Sequence, residues 1–205
     1  QAGLIYQEFT RQTHVIPSRE LPVDWPRYRG IDFGVRNPFC CLWVAHDEDT
    51  DTLHVYREYL VTEKTTLENG RVVYALSKKD PAFAWTSADP ESKDGRLTLA
   101  RYCNIPTKPA PKHLGVHEGI QYVKHRLMLD AEGSPALIIH DCCKQLIREF
   151  RLYRWKPDQK KDQPIKRDDH ALDALRYICM TLARQRATND GRTLTRRSHL
   201  SIHGV

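Results

Sequence analysis

Three apolar stretches close together leave this chain little freedom of fold. "YRGIDFGV" (28–35), "FCCLWVAHD" (39–47) and "LHVYREYLV" (53–61) are rich in β-favouring residues, and only short polar turns separate them. Strands joined by such short connections pair antiparallel, so residues 28–61 predict a three-stranded meander. The second stretch is the longest of the three apolar runs.

The rest of the chain alternates. "FAWTSADPE" (83–91) reads as a buried strand ending at Pro90. "GVHEGIQYVKHRLML" (115–129) repeats apolar residues every three or four positions and reads as a helix. "PALIIHDCC" (135–143) reads as a strand, "CKQLIREFRLYRW" as a helix, and "DDHALDALRYICMTLAR" (168–184) as a closing helix. Leu172, Leu175, Ile178, Cys179 and Leu182 form the closing helix's apolar stripe. Asn69-Gly70 marks a hairpin, with a helix around 73–79 as the alternative. "LARYCNIPTKPAPK" reads as a short segment and a proline-rich loop. The order predicts an α/β fold: a mixed sheet with helices on both faces. Residues 1–27, polar with three prolines, read as a lead-in or linker, 28–187 as the folded domain, and 188–205 as a basic flexible tail.

At 205 residues, 40% hydrophobic and 28% charged, the composition is that of an ordinary globular chain. No apolar run approaches the roughly 18 residues needed to span a bilayer, so no membrane partner is expected. The six cysteines show no zinc spacing and read as reduced thiols. The pattern GxxxxGK[ST] is absent, so the sequence has no P-loop of its own. A net charge of +6 suits a polyanionic partner, and "KPDQKKDQPIKR" (156–167) and "RQRATNDGRTLTRR" (184–197) carry much of it; the alternative for both is a solvated loop and a frayed tail.

Against that basic background, "KRDDHALDALRY" (166–177) gathers three aspartates and a histidine within six positions. At 100° per residue, Asp169 and Asp173 lie about 40° apart and His170 about 60° to the other side of Asp173. Asp168 reads as the N-cap. Asp173 repels Asp169 across one turn, a cost that a bound cation or a salt bridge from Arg176 or Arg167 would relieve. Asp32, in "GIDFG", sits in an apolar strand, where a carboxylate needs a partner or a cation; the alternative is a backbone cap. Asp89, in "SADPES", follows a buried run and could equally start a turn, with Glu91 as a competing acid. Should the fold bring these acids together, they would make an oxygen-rich site suited to Mg2+ or Mn2+ rather than zinc.

The motifs "GIDFG", "SADPES", "IIHDCCKQLIREFRLYRW" and "DDHALDALRY", in that order, resemble the C-terminal nuclease domain of the large terminase subunit of tailed bacteriophages, over most of the chain. "GLIYQEF" is similar to the segment that joins motor to nuclease in such proteins. His170-Ala171-Leu172-Asp173-Ala174-Leu175 also resembles the HxxDAL ending of RuvC-type junction resolvases. Both resemblances imply an RNase H-like fold. The first implies an endonuclease that cuts concatemeric double-stranded viral DNA during packaging with two Mg2+ or Mn2+ ions. By it, Asp32, Asp89 and Asp173 are the catalytic metal ligands, with Asp169 or His170 as a further ligand. It also implies an ATPase domain elsewhere in the protein, a small terminase and a portal as partners, and the host cytoplasm as location. A Holliday-junction resolvase and a non-catalytic DNA-binding module are the alternatives.

Overall fold

The computed structural model describes residues 3–157 and 163–200. Part of the basic 156–167 loop and the last five residues of the expected tail lie outside the described residues. In chain order the elements are α1 (Arg11–His14), β1 (Val15–Ile16), β2 (Arg27–Asp32), β3 (Phe39–Asp47), β4 (Thr52–Val61), α2 (Thr66–Ser77), β5 (Phe83–Ala88), α3 (Lys93–Tyr102), β6 (Lys108–Pro109), α4 (Gly115–Leu127), β7 (Leu137–His140), α5 (Lys144–Leu152) and α6 (His170–Leu200).

One seven-stranded mixed sheet runs β1-β7-β4-β3-β2-β5-β6. The expected meander is its centre: β2–β3 and β3–β4 pair antiparallel. The other neighbours pair parallel. β3 is buried from Phe39 to His46 because both faces are covered. Cys40, Leu42 and Val44 join the core beneath α4, α5 and α6, while Phe39, Cys41 and Trp43 join the core beneath α2 and α3. This is the α/β, RNase H-like arrangement expected, with helices on both faces.

Three local expectations need correction. Asn69-Gly70 is no hairpin. It lies inside α2, whose start is fixed by a reciprocal capping box between Thr65 and Glu68. Asn69 is buried and accepts from the Tyr59 hydroxyl at 3.0 Å, so it serves packing rather than a turn. The segment around 93–102 is a full helix, α3. Asp168 does not cap the closing helix. Asp169 stands immediately before it, and its backbone carbonyl accepts the Asp173 N–H at 2.8 Å. Asp168 has a left-handed backbone (φ 52°) and pairs with Arg148 at 3.3 Å and Arg167 at 3.5 Å.

The stretch before β2 is not merely polar. Ile5, Tyr6 and Phe9 enter the core, and Phe9 stacks on Phe150 with ring centroids 4.5 Å apart. At the other end, α6 carries the backbone of the expected tail in helical form as far as Leu200. All six cysteines are free, and five are buried. Among the described residues no helix is long and apolar enough to cross a membrane.

Gly30 sets how closely α6 lies on the sheet. A Cβ there would press into the Ala174 carbonyl and the Ile178 side chain, so only glycine lets the helix rest directly on β2. That approach brings the start of α6 level with the end of β2.

Candidate active site

β2 ends on Asp32, and β5, its parallel neighbour, ends one residue before Asp89. The Asp89 N–H donates to the Ile31 carbonyl at 3.2 Å, holding the two strand ends side by side. α6 then crosses this edge with its first turn. Asp32, Asp89, Asp169, His170 and Asp173 consequently line one groove of about 590 Å3. Asp168 does not line it.

Each acid has a distinct set of partners. Asp32 is 8% exposed and accepts from His170 Nδ1 at 2.8 Å. A carboxylate can only accept here, so Nδ1 carries the proton. Burial raises Asp32 to about 6, and Asp173 and Asp89 push the same way, against the His170 hydrogen bond. That bond in turn raises the His170 pKa above its ordinary value. Asp169 is 8% exposed, and burial followed by the charge of Asp173 raises it as well. Asp173 accepts from Arg176 Nη2 at 2.8 Å and Nε at 3.2 Å, which is the salt bridge weighed from the sequence. The other candidate cation, Arg167, pairs with Asp168 instead. Asp89 has both roles that its sequence offered. It lines the groove and also ties the turn, accepting from the Glu91 N–H at 2.9 Å and the Ser92 hydroxyl at 3.1 Å. Glu91 is exposed and pairs with Lys112 at 2.7 Å.

One residue of this region escapes a sequence reading. Glu149 of α5 is 3% exposed and accepts the Leu172 N–H at 2.9 Å, so it anchors the first turn of α6 from below. Burial raises its carboxyl to about 8. The signal is faint: an acid beside Leu146, Ile147 and Phe150 on the buried side of a short helix.

The groove's donors are five carboxylates, the exposed Glu91 among them, and one imidazole, hard oxygen ligands in the main, which fits Mg2+ or Mn2+. Burial raises both Asp32 and Asp169, and the charge of Asp173 adds to each, a cost that a bound cation would offset. Among the described residues no three acidic, histidine or cysteine side chains close on a single point. Here His170 and Arg176 hold Asp32 and Asp173 in ion pairs.

No family model matches the chain. Over 164 residues it is 30% identical to the large terminase subunit of Escherichia phage T5, covering 76% of this chain and 35% of that protein. The large terminase of a thermophilic bacteriophage superposes with a TM-score of 0.78 at 25% identity, over 89% of this chain and 45% of that one. The chain is a relative of the phage large terminase subunits. It spans about a third of the T5 terminase and under half of the thermophilic one. The large terminase nuclease domain of bacteriophage SPP1, solved with bound Mn, is matched over 95% of its length and 84% of this chain, with a TM-score of 0.63 at 16% identity. The fold is therefore that of a terminase nuclease domain.

Proposed function

We propose that this chain is a divalent-metal-dependent nuclease that cuts double-stranded DNA during viral genome packaging. What supports the reading is one observation above all: acids from two strand ends and the first turn of a helix line a single groove. The terminase relatives, and the manganese bound to the SPP1 nuclease domain, agree with it.

In this reading Asp32, Asp89 and Asp173 hold the metal ions, with Asp169 or His170 as a further ligand. Bound divalent ions would supply an activated water and charge to stabilise the leaving oxygen. The chain's own residues prepare the site. His170 fixes the orientation of the Asp32 carboxylate, and Arg176 fixes that of Asp173. Glu149 holds the Leu172 N–H and so the turn that carries Asp169, His170 and Asp173. Lys166 lines the groove and would attract phosphate without reading sequence. The partners that go with this reading are an ATPase region of the same protein, a small terminase and a portal, in the host cytoplasm.

The test is plasmid nicking by the purified chain with Mg2+ or Mn2+. Cutting is expected, and Asp32→Ala and Asp173→Ala should each abolish it. Variants that cut as well as the parent would sink the site assignment. Linear duplex should be cut at least as well as a four-way junction; strong junction preference would favour a resolvase.

A further inference from the structure

The acidic groove does not end at Asp173. Tyr177 and Met180 line it further along α6, and the next turns present Thr181, Arg184 and Gln185 to a second cavity of about 620 Å3. Pro111 belongs to the wall of both, so the two cavities adjoin between α6 and the β5–β6 edge of the sheet.

The second cavity is built differently from the first. Its floor is Trp85, stacked on Tyr28 with ring centroids 4.2 Å apart and donating through Nε1 to Gln185 Oε1 at 3.0 Å. Both contacts hold the indole in one orientation. Lys108 Nζ lies 5.1 Å from the centre of the Trp85 ring, and Arg184 is exposed on the opposite wall. Neither cation has a carboxylate partner among the described residues, whereas Arg57, Arg126, Arg148, Arg176 and Arg186 each do. Glu48 is the acid on the rim.

We propose that this cavity is a second DNA subsite, in which Lys108 and Arg184 hold backbone phosphates of the strand leaving the acidic groove. The inference rests on the nuclease reading above and extends it to the path of the substrate. From Asp173 to Arg184 the helix advances about 16 Å at 1.5 Å per residue. That is the axial rise of about five nucleotides of a B-form strand. The grip therefore falls about half a helical turn from the point of cutting, within reach of the same duplex. Contacts of this kind position DNA and carry no sequence information.

The experiment is a salt titration of the chain's binding to a labelled duplex, without divalent metal. Each phosphate contact adds about 0.9 to the slope of log affinity against log salt. The Lys108→Gln/Arg184→Gln double variant should therefore flatten the slope by about 1.8. Lys108→Arg should keep the parent slope, and Glu48→Gln should tighten binding about twofold. An unchanged slope in a double variant that melts like the parent overturns the proposal, as does a parent that does not bind the duplex. Where the double variant fails to fold, Arg184→Gln alone changes an exposed position and must flatten the slope by about 0.9; no change there overturns the proposal equally. Asp32→Asn separates the two ideas. It should lose cutting and keep the slope. A chain that cuts but shows no slope change loses only the subsite. A chain that never cuts but does show the change loses only the nuclease reading.

Discussion

Two carboxylate sites lie against α6, and they are opposites. Near its start, Asp32, Asp89, Asp169 and Asp173 share one groove with the His170 and Arg176 pairs. Farther along, a single carboxylate, Asp51 in the β3–β4 turn, takes three basic partners: His46 at 2.9 Å, Arg126 at 3.3 Å and Arg186. Burial pushes Asp51 up, yet the hydrogen bonds from Arg186 and His46 outweigh it and hold the carboxyl well below its ordinary range. In the groove the balance goes the other way, and Asp32 and Asp169 are raised. A site with its charge fully answered joins elements together. A site with excess charge of one sign has room for a ligand of the other sign.

This contrast can be broken experimentally. The largest expected effect is on cutting: Asp32→Ala or Asp173→Ala should lower it on the order of 100-fold or more, while Asp51→Ala leaves the chemistry in place. A nicking assay at matched protein concentration decides it. Next is Gly30→Ala, whose Cβ meets the Ala174 backbone. Overpacking there should cost about 1–3 kcal/mol in denaturant unfolding and lower cutting too, because α6 must lift from β2. Asp51→Ala should cost about 1–2 kcal/mol, an estimate reduced for its partial exposure, because it removes the carboxylate that His46, Arg126 and Arg186 share. Mn2+ should raise the melting temperature of the parent and of Asp51→Ala alike, and of neither groove variant. A manganese shift that survives Asp32→Ala would remove the contrast.

The last effect concerns pH. Glu149 has a folded pKa of about 8 against an ordinary 4.5, so the folded state binds its proton more tightly than the unfolded state does. Stability therefore falls as pH rises through that window. Glu149→Gln keeps an acceptor for the Leu172 N–H and should flatten the decline. Melting curves across the window that are equally steep in both proteins would show that Glu149 is not its source.

Much of this was legible in the sequence, for reasons that differ by residue. β3 announces itself because burial on both faces makes a continuous apolar run. The meander follows from the short turns around it. Asp32 stands out as a charge among apolar neighbours, and the spacing of Asp169, His170 and Asp173 shows through helical geometry alone. Asn69-Gly70 misleads because the dipeptide favours turns, whereas the decisive signal is the capping pair just before it, Thr65 with Glu68. Asp168 misleads because a cap and the residue before it look alike until the backbone turns left-handed. Ile5, Tyr6 and Phe9 show no period, since they fill gaps left by α5 rather than forming a face of their own. Glu149 is hidden because its partner is a backbone N–H, which no side-chain pattern reveals.

The two sites also share a member. α6 is fastened to Asp32 through His170 and to Asp51 through Arg186, points about 24 Å apart along its axis. Mechanically it is a beam pinned at both ends and resting on Gly30 between them. Releasing the Asp51 pin frees only the distal end, because His170 and the close approach at Gly30 still hold the turn that carries Asp173.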